Sequence, residues 1–218
     1  MKHSSKLKSA LKLLSEHAIP LIITTSIIIS ESFYFMLFPK MDLHEISLDK
    51  ISELLKFLPE AILVFIFMLV YFSEDHVRKQ ELNALKKVYV LFIIIILSCI
   101  GLFMLLSHFS HANIIGAIYY FLFVACYEEF LFRAYLYRNI KTKSSFKVAV
   151  ILSGAVFGFA HGFFRWIALG YQWYEVFSQV FGTGILGTLF FAFTYEKSGT
   201  ILVPILVHFV LDYSGFVW

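Results

Sequence analysis

Apolar residues run through most of this chain in long stretches that short polar segments separate. A helix needs about 20 apolar residues, at 1.5 Å rise per residue, to cross roughly 30 Å of hydrocarbon. We predict a membrane-spanning helix in each of seven stretches: 17–38, 53–73, 87–107, 113–137, 146–164, 173–195 and 200–218. The pattern therefore predicts an all-α, polytopic bundle of about seven transmembrane helices.

The composition agrees with a membrane setting. Hydrophobic residues make up 60% of the 218 positions and charged residues only 15%, which is unlike the usage of soluble domains. We find no internal repeat, low-complexity tract or linker rich in proline and glycine. We therefore expect one integral membrane domain over 1–218, surrounded by a lipid bilayer.

Positive charges are distributed unevenly among the predicted loops. Thirteen of the eighteen lysines and arginines lie before the first span or after the second, fourth and sixth, which is one predicted side of the membrane. Under the positive-inside rule, this places the N-terminus in the cytoplasm. Because topology accounts for the basic clusters, we expect no nucleic-acid partner. The brevity of the chain and its lack of a targeting sequence make us expect a bacterial cell membrane.

Three charged residues lie inside the fourth predicted span. Carboxylates at membrane depth are costly unless they are paired or hydrated, so such a cluster indicates a functional site. Glu129 precedes Arg133 by one helical turn, in the acid-first order that favours an ion pair. Glu128 projects about 100° further round the helix and is left for chemistry. The alternative is a buried network of all three charges that only locks helices together.

Two later spans each carry a histidine. His161 lies in the fifth span, and His208 in the seventh precedes Asp212 by one turn, so that imidazole and carboxylate share a helix face. Counted from the cytoplasmic ends of their helices, Glu128, His208 and His161 lie roughly 15, 14 and 21 Å deep. A lone buried histidine is more often a hydrogen-bonded core residue. These depths nevertheless allow the polar groups to converge.

The sixth predicted span contains three glycines, Gly182, Gly184 and Gly187. Small residues let neighbouring helices approach closely, so we expect tight packing there. The alternative is a gap through which a substrate enters.

Three short motifs follow one another on separate spans. They are Glu128-Glu129-xxx-Arg133, Phe157-xxx-His161 and His208-xxx-Asp212. This ordered set resembles the CAAX-protease and bacteriocin-processing family of intramembrane proteases, also called the Abi family, which is related to the CAAX prenyl endopeptidase. The resemblance covers roughly 113–218.

The resemblance implies a role for each motif residue. Glu128 is implied to be the general base that activates a water, and His161 helps to hold that water. His208 and Asp212 are implied to orient the substrate or to stabilise the oxyanion, and an aspartate can donate to an oxyanion only when it is protonated. Glu129, paired with Arg133, is implied to be supporting.

Whether a metal takes part is a separate question. Glu128, His161 and His208 would be a sufficient ligand set for catalytic zinc with an open water position, and the resembled family has been described both as metalloproteases and as glutamate-dependent proteases. The chain has no His-Glu-xx-His element, and Glu128 as a ligand would leave the site without a good base. We therefore expect no metal and no cofactor, with zinc as the alternative.

These observations predict an intramembrane endopeptidase that acts on a membrane-associated peptide or protein. The alternative is a non-proteolytic membrane protein, such as a bacteriocin immunity factor or a proton-coupled carrier, that uses the same buried charges. A carrier is less favoured because the chain shows no inverted repeats or interrupted half-helices.

Overall fold

The computed structural model describes residues 2–37, 57–86, 94, 97–98, 101 and 111–217, and these residues are predominantly helical, with no strand among them. The helices are α1 (Lys2–Leu37), α2 (Leu58–Ser73), α3 (Asp75–Leu85), α4 (Asn113–Lys141), α5 (Phe146–Leu169), α6 (Trp173–Ser198) and α7 (Leu202–Val217). The all-α prediction is confirmed.

Four of the described helices are long and apolar enough to cross a membrane. They are the Ser15–Leu37 part of α1 together with α4, α5 and α6, whereas α2 and α7 are apolar but shorter. The predicted span 87–107 lies largely outside the described residues. The chain is thus a multi-pass helical membrane protein, and its fourth predicted helix continues to Lys141, four residues beyond the predicted end.

Local sequence signals explain several helix ends. At the start of α5 the hydroxyl of Ser145 accepts a hydrogen bond from the Val148 backbone N–H, as an N-cap residue does. Gly170 ends the same helix with φ of 70°, and Gly199 turns the chain from α6 into α7 with φ of 68°. Glycine is favoured at both turns because side chains disfavour the left-handed region.

The chain divides into two compact units. The first comprises Met1–Leu37 and Tyr135–Ala192, and the second comprises Phe38–Ala134 and Phe193–Trp218. The first unit therefore contains α1, the end of α4, all of α5 and most of α6. The second contains α2, α3, most of α4 and all of α7. That the whole chain forms a single domain stays a prediction.

In the first unit, α5 and α6 approach each other through glycine. A Cβ atom added to Gly154 would lie 2.8 Å from the Ile185 Cα, and one added to Gly158 would lie closer still to the Val180 Cα. Gly184, on α6, faces Gly154 and Gly158 equally tightly. Of the three glycines for which tight packing was expected, it is confirmed at Gly184, where only residues without side chains permit it. The expectation is wrong for Gly182, where an added Cβ would meet nothing within 4 Å among the described residues.

In the second unit, α7 packs along the first half of α4. The ring of Phe209 meets that of Phe121 edge to face, with 5.5 Å between the centroids. One turn further, the Tyr213 hydroxyl donates to the Asn113 carbonyl at 3.2 Å. These contacts bring the middle of α7 next to the turns of α4 that carry the paired glutamates.

We predict that Gly158→Ala destabilises the first unit by about 1–3 kcal/mol, because the added methyl group forces the α5 and α6 backbones apart. The measurement is thermal unfolding of the purified protein in detergent. Gly182→Ala is the matched control, since an added Cβ at Gly182 meets nothing within 4 Å among the described residues. Equal melting temperatures for the two variants would show that the close approach contributes nothing.

Candidate active site

The site begins with a fully buried ion pair on α4. The Arg133 Nη1 lies 3.2 Å from the Glu129 Oε1, and neither side chain has any exposed surface. Both residues belong to a stretch of wide, π-type turns, Glu129–Tyr137, a distortion that is frequent at functional sites. The predicted pairing of Glu129 with Arg133 is confirmed.

His208 on α7 joins this ion pair. Its Nδ1 lies 2.8 Å from the Glu129 Oε1, the same oxygen that contacts Arg133. A carboxylate paired with a guanidinium only accepts, so the His208 Nδ1 carries a proton and donates it. This bond fixes the orientation of the imidazole ring and keeps a proton on Nδ1.

The other nitrogen of His208 faces the two remaining carboxylates. The His208 Nε2 lies 3.6 Å from the Glu128 Oε2 and 3.4 Å from the Asp212 Oδ2. Glu128 and Asp212 therefore both lie within ion-pair distance of this nitrogen. One imidazole connects all three acidic side chains of the first and third motifs.

Exposure increases stepwise along this chain of charges. Arg133 and Glu129 are fully buried, the side chain of His208 is 7% exposed, that of Glu128 is 18% exposed and that of Asp212 is 38% exposed. A substrate or a water can reach only the exposed end. The accessible carboxylates beside His208 are therefore Glu128 and Asp212, and the roles of these residues stay a prediction.

The contact between Glu129 and His208 was not predicted from the sequence. Glu129 was expected only to neutralise Arg133, whereas the same carboxylate also holds the imidazole. The two residues are 79 positions apart, and no local spacing signals such a contact. One general rule could have indicated this contact: a buried carboxylate accepts hydrogen bonds from more than one donor.

His161 belongs to the first unit, in α5. Its Nδ1 lies 3.0 Å from the Phe157 carbonyl, which can only accept, so Nδ1 donates and the lone pair of the neutral ring lies on Nε2. The Phe157 and His161 rings also meet edge to face at 4.5 Å. The Phe157-xxx-His161 motif therefore fixes the orientation of the His161 ring. That His161 takes part in the active site stays a prediction.

Residues 109–214 match a protein-family model described as type II CAAX prenyl endopeptidase Rce1-like. The matched region contains all three motifs. Over this region the chain is similar to the CAAX-protease family. The resemblance predicted from the motifs is thereby confirmed, and it supports a membrane-embedded peptide hydrolase. No curated protein and no solved structure matches the chain.

The CAAX-protease family raises the question of zinc. Among the described residues, no group of three histidine, cysteine, aspartate or glutamate side chains is arranged to hold a metal ion. No step below passes through a metal.

We predict that Arg133→Gln lowers the free energy of unfolding by about 3–5 kcal/mol, because it leaves the Glu129 charge buried without its guanidinium partner. Denaturant or thermal unfolding in detergent is the measurement.

Arg78→Gln is the matched control, because Arg78 forms an exposed ion pair with Asp75 on α3, and exposed pairs contribute about 0–1 kcal/mol. Similar losses for the two arginine variants would contradict a structural role for the buried pair.

Proposed function

We propose that this protein is an intramembrane endopeptidase that hydrolyses a peptide bond of a membrane-associated peptide or protein. Similarity of residues 109–214 to the CAAX-protease family supports membrane peptide hydrolysis in general. The observation that carries the finer proposal is the placement of His208, whose Nδ1 donates to Glu129 while its Nε2 faces Glu128 and Asp212. An imidazole oriented in this way is suited to proton transfer and to hydrogen bonding of a reacting group.

Glu128 acts as the general base in this proposal. It removes a proton from a water as the water oxygen attacks the carbonyl carbon of the scissile bond. Glu128 later gives that proton to the leaving nitrogen, so that one water is consumed and the products are a carboxylic acid and an amine, which then ionise to a carboxylate and an ammonium group. Glu129 is unsuited to this role because it is fully buried and already contacts Arg133 and His208.

His208 stabilises the oxyanion of the tetrahedral intermediate in this proposal. With Nδ1 donating to Glu129, a protonated Nε2 is the donor that points towards the exposed end of the site. A donor held in advance where negative charge develops typically accelerates acyl transfer about 10²–10³-fold. Asp212, when ionised, accepts from the His208 Nε2 or from a substrate N–H and so orients one of them.

In this proposal, His161 holds the attacking water. The order of the three motifs along the chain supports this role. Its Nδ1 donates to the Phe157 carbonyl, which in a neutral ring leaves the Nε2 lone pair to accept a hydrogen bond. That lone pair is the feature a water-holding group requires.

We propose that Glu128 activates the water directly, without a metal. This is supported by the need for a base, which Glu128 could not be while it served as a zinc ligand. In the zinc alternative, Glu128, His161 and His208 would hold the ion. The ion would then lower the pKa of a bound water.

The topology and location form part of the same proposal. The excess of lysine and arginine on one predicted side supports a cytoplasmic N-terminus, with cleavage in the middle or cytoplasmic half of a bacterial plasma membrane.

We predict that Glu128→Gln and His161→Ala each lower the cleavage rate at least about 10²-fold, because each removes a group that acts on the attacking water. The measurement is cleavage of a panel of membrane-anchored peptides by the protein reconstituted in liposomes.

Glu74→Gln and His76→Ala are the matched controls for this assay. Glu74 and His76 form an exposed pair of the same two residue types, with 3.5 Å between the carboxylate and the imidazole. We expect both controls to cleave at the parental rate. Parental rates for Glu128→Gln and His161→Ala would refute the assigned roles, and a parent that cleaves no peptide of the panel would favour the immunity or carrier alternative.

We also predict that cleavage persists after exhaustive treatment with a zinc chelator, because the proposed base acts on water without a metal. The rate is measured before and after chelation and again after zinc is added back. A loss that added zinc restores would establish the zinc alternative.

A further inference from the structure

Another buried carboxylate, remote from the three motifs, lies beside the start of α7. Glu81, on the polar helix α3, is only 3% exposed, although charged residues are seldom buried so fully. Its two carboxylate oxygens accept hydrogen bonds from the Tyr71 hydroxyl at 2.6 Å, from the Ile201 backbone N–H at 2.8 Å and from the Thr200 hydroxyl. All four residues belong to the second unit.

Glu81 thereby caps the helix that carries His208. The first backbone N–H groups of a helix have no partner within the helix. At α7, Glu81 accepts from the N–H of Ile201, and the Thr200 hydroxyl oxygen accepts from that of Leu202 at 3.2 Å. A negative charge at this end is also favoured by the helix dipole. The first turn of α7 is therefore tied to α3.

The neighbouring turn is held by the same helix. The Gln80 side-chain amide donates to the Gly199 carbonyl at 2.7 Å, at the position where the backbone adopts positive φ. The Tyr71 hydroxyl, which donates to Glu81, also lies 3.1 Å from the Tyr195 hydroxyl. Polar contacts from α2 and α3 thus surround the entry into α7.

We propose that Glu81 is a positioning residue that sets the rotation and height of α7, and with them the place of His208 and Asp212 beside Glu128. Ile201 precedes His208 by seven residues, which is about two helical turns and about 10 Å along one face. A displacement at the first turn is therefore transmitted to His208. The expected effect of Glu81 on catalysis rests on the function proposed above.

We predict that Glu81→Ala lowers kcat/KM by up to about 10²-fold, mainly through kcat, since a small misplacement of reacting groups weakens transition-state contacts. Glu81→Gln, which keeps an acceptor oxygen and the side-chain shape, should restore most of the activity. Asp75→Ala, an exposed carboxylate on the same helix, is the matched control and should cleave at the parental rate.

A cross-linking experiment measures the position of α7 independently of peptide cleavage. In a background with Cys99→Ala and Cys126→Ala, the pair Phe121→Cys and Phe209→Cys reports contact of α4 with α7, because those rings lie 5.5 Å apart. The pair Phe57→Cys and Tyr119→Cys, whose rings lie 4.8 Å apart, reports contact between the start of α2 and α4. The rate of cross-linking by a short bifunctional thiol reagent is measured for each pair.

The expected result is that Glu81→Ala slows only the cross-link between α4 and α7, and that Glu81→Gln slows neither. Thr200→Val, which removes one donor to Glu81 and one cap of α7, should slow the same cross-link and so provides a second test if Glu81→Ala folds poorly. Unchanged cross-linking, or equal slowing of both pairs, would overturn the inference. If the parent cleaves no peptide, the proposed function fails while the cross-links still decide the role of Glu81.

Discussion

The buried ion pair between Arg133 and Glu129 is the interaction on which the site depends. Hydrocarbon offers no water to solvate a charge, so a fully buried guanidinium requires a carboxylate beside it. The Glu129 oxygen that contacts Arg133 at 3.2 Å also accepts from the His208 Nδ1 at 2.8 Å. The ion pair that allows Arg133 to be buried therefore also holds the His208 imidazole of α7 against α4.

This arrangement divides the acidic residues by their surroundings. Glu129 is inaccessible and doubly engaged, whereas Glu128 and Asp212 lie at the more exposed side of His208. Two adjacent glutamates on one helix thus have different surroundings, and this difference supports the proposal that Glu129 holds the site together while Glu128 acts on water. The helix that supplies His208 is held at its start by Glu81, a residue remote from the catalytic motifs in sequence.

The contacts that sequence could predict are those within one helix. Runs of about 20 apolar residues indicated the long spans, and the spacing of four residues indicated both the pairing of Glu129 with Arg133 and the shared face of His208 and Asp212. Contacts between helices could not be predicted, because they depend on which helices become neighbours. The bond from His208 to Glu129 spans 79 positions, and those from α7 to Glu81 span about 120. A signal for Glu81 did exist, since Val77, Glu81 and Ala84 lie on one face of α3 and all three are buried.

The central claim is that Glu128 and His208 act in the same chemical step. A double-mutant cycle on kcat/KM tests it most directly, with Glu128→Gln, His208→Gln and the double variant compared with the parent in one cleavage assay. Our account predicts that the double variant loses little more activity than the worse single variant, because either change disables the shared step. Losses that multiply would show that the two residues act independently and would contradict the account.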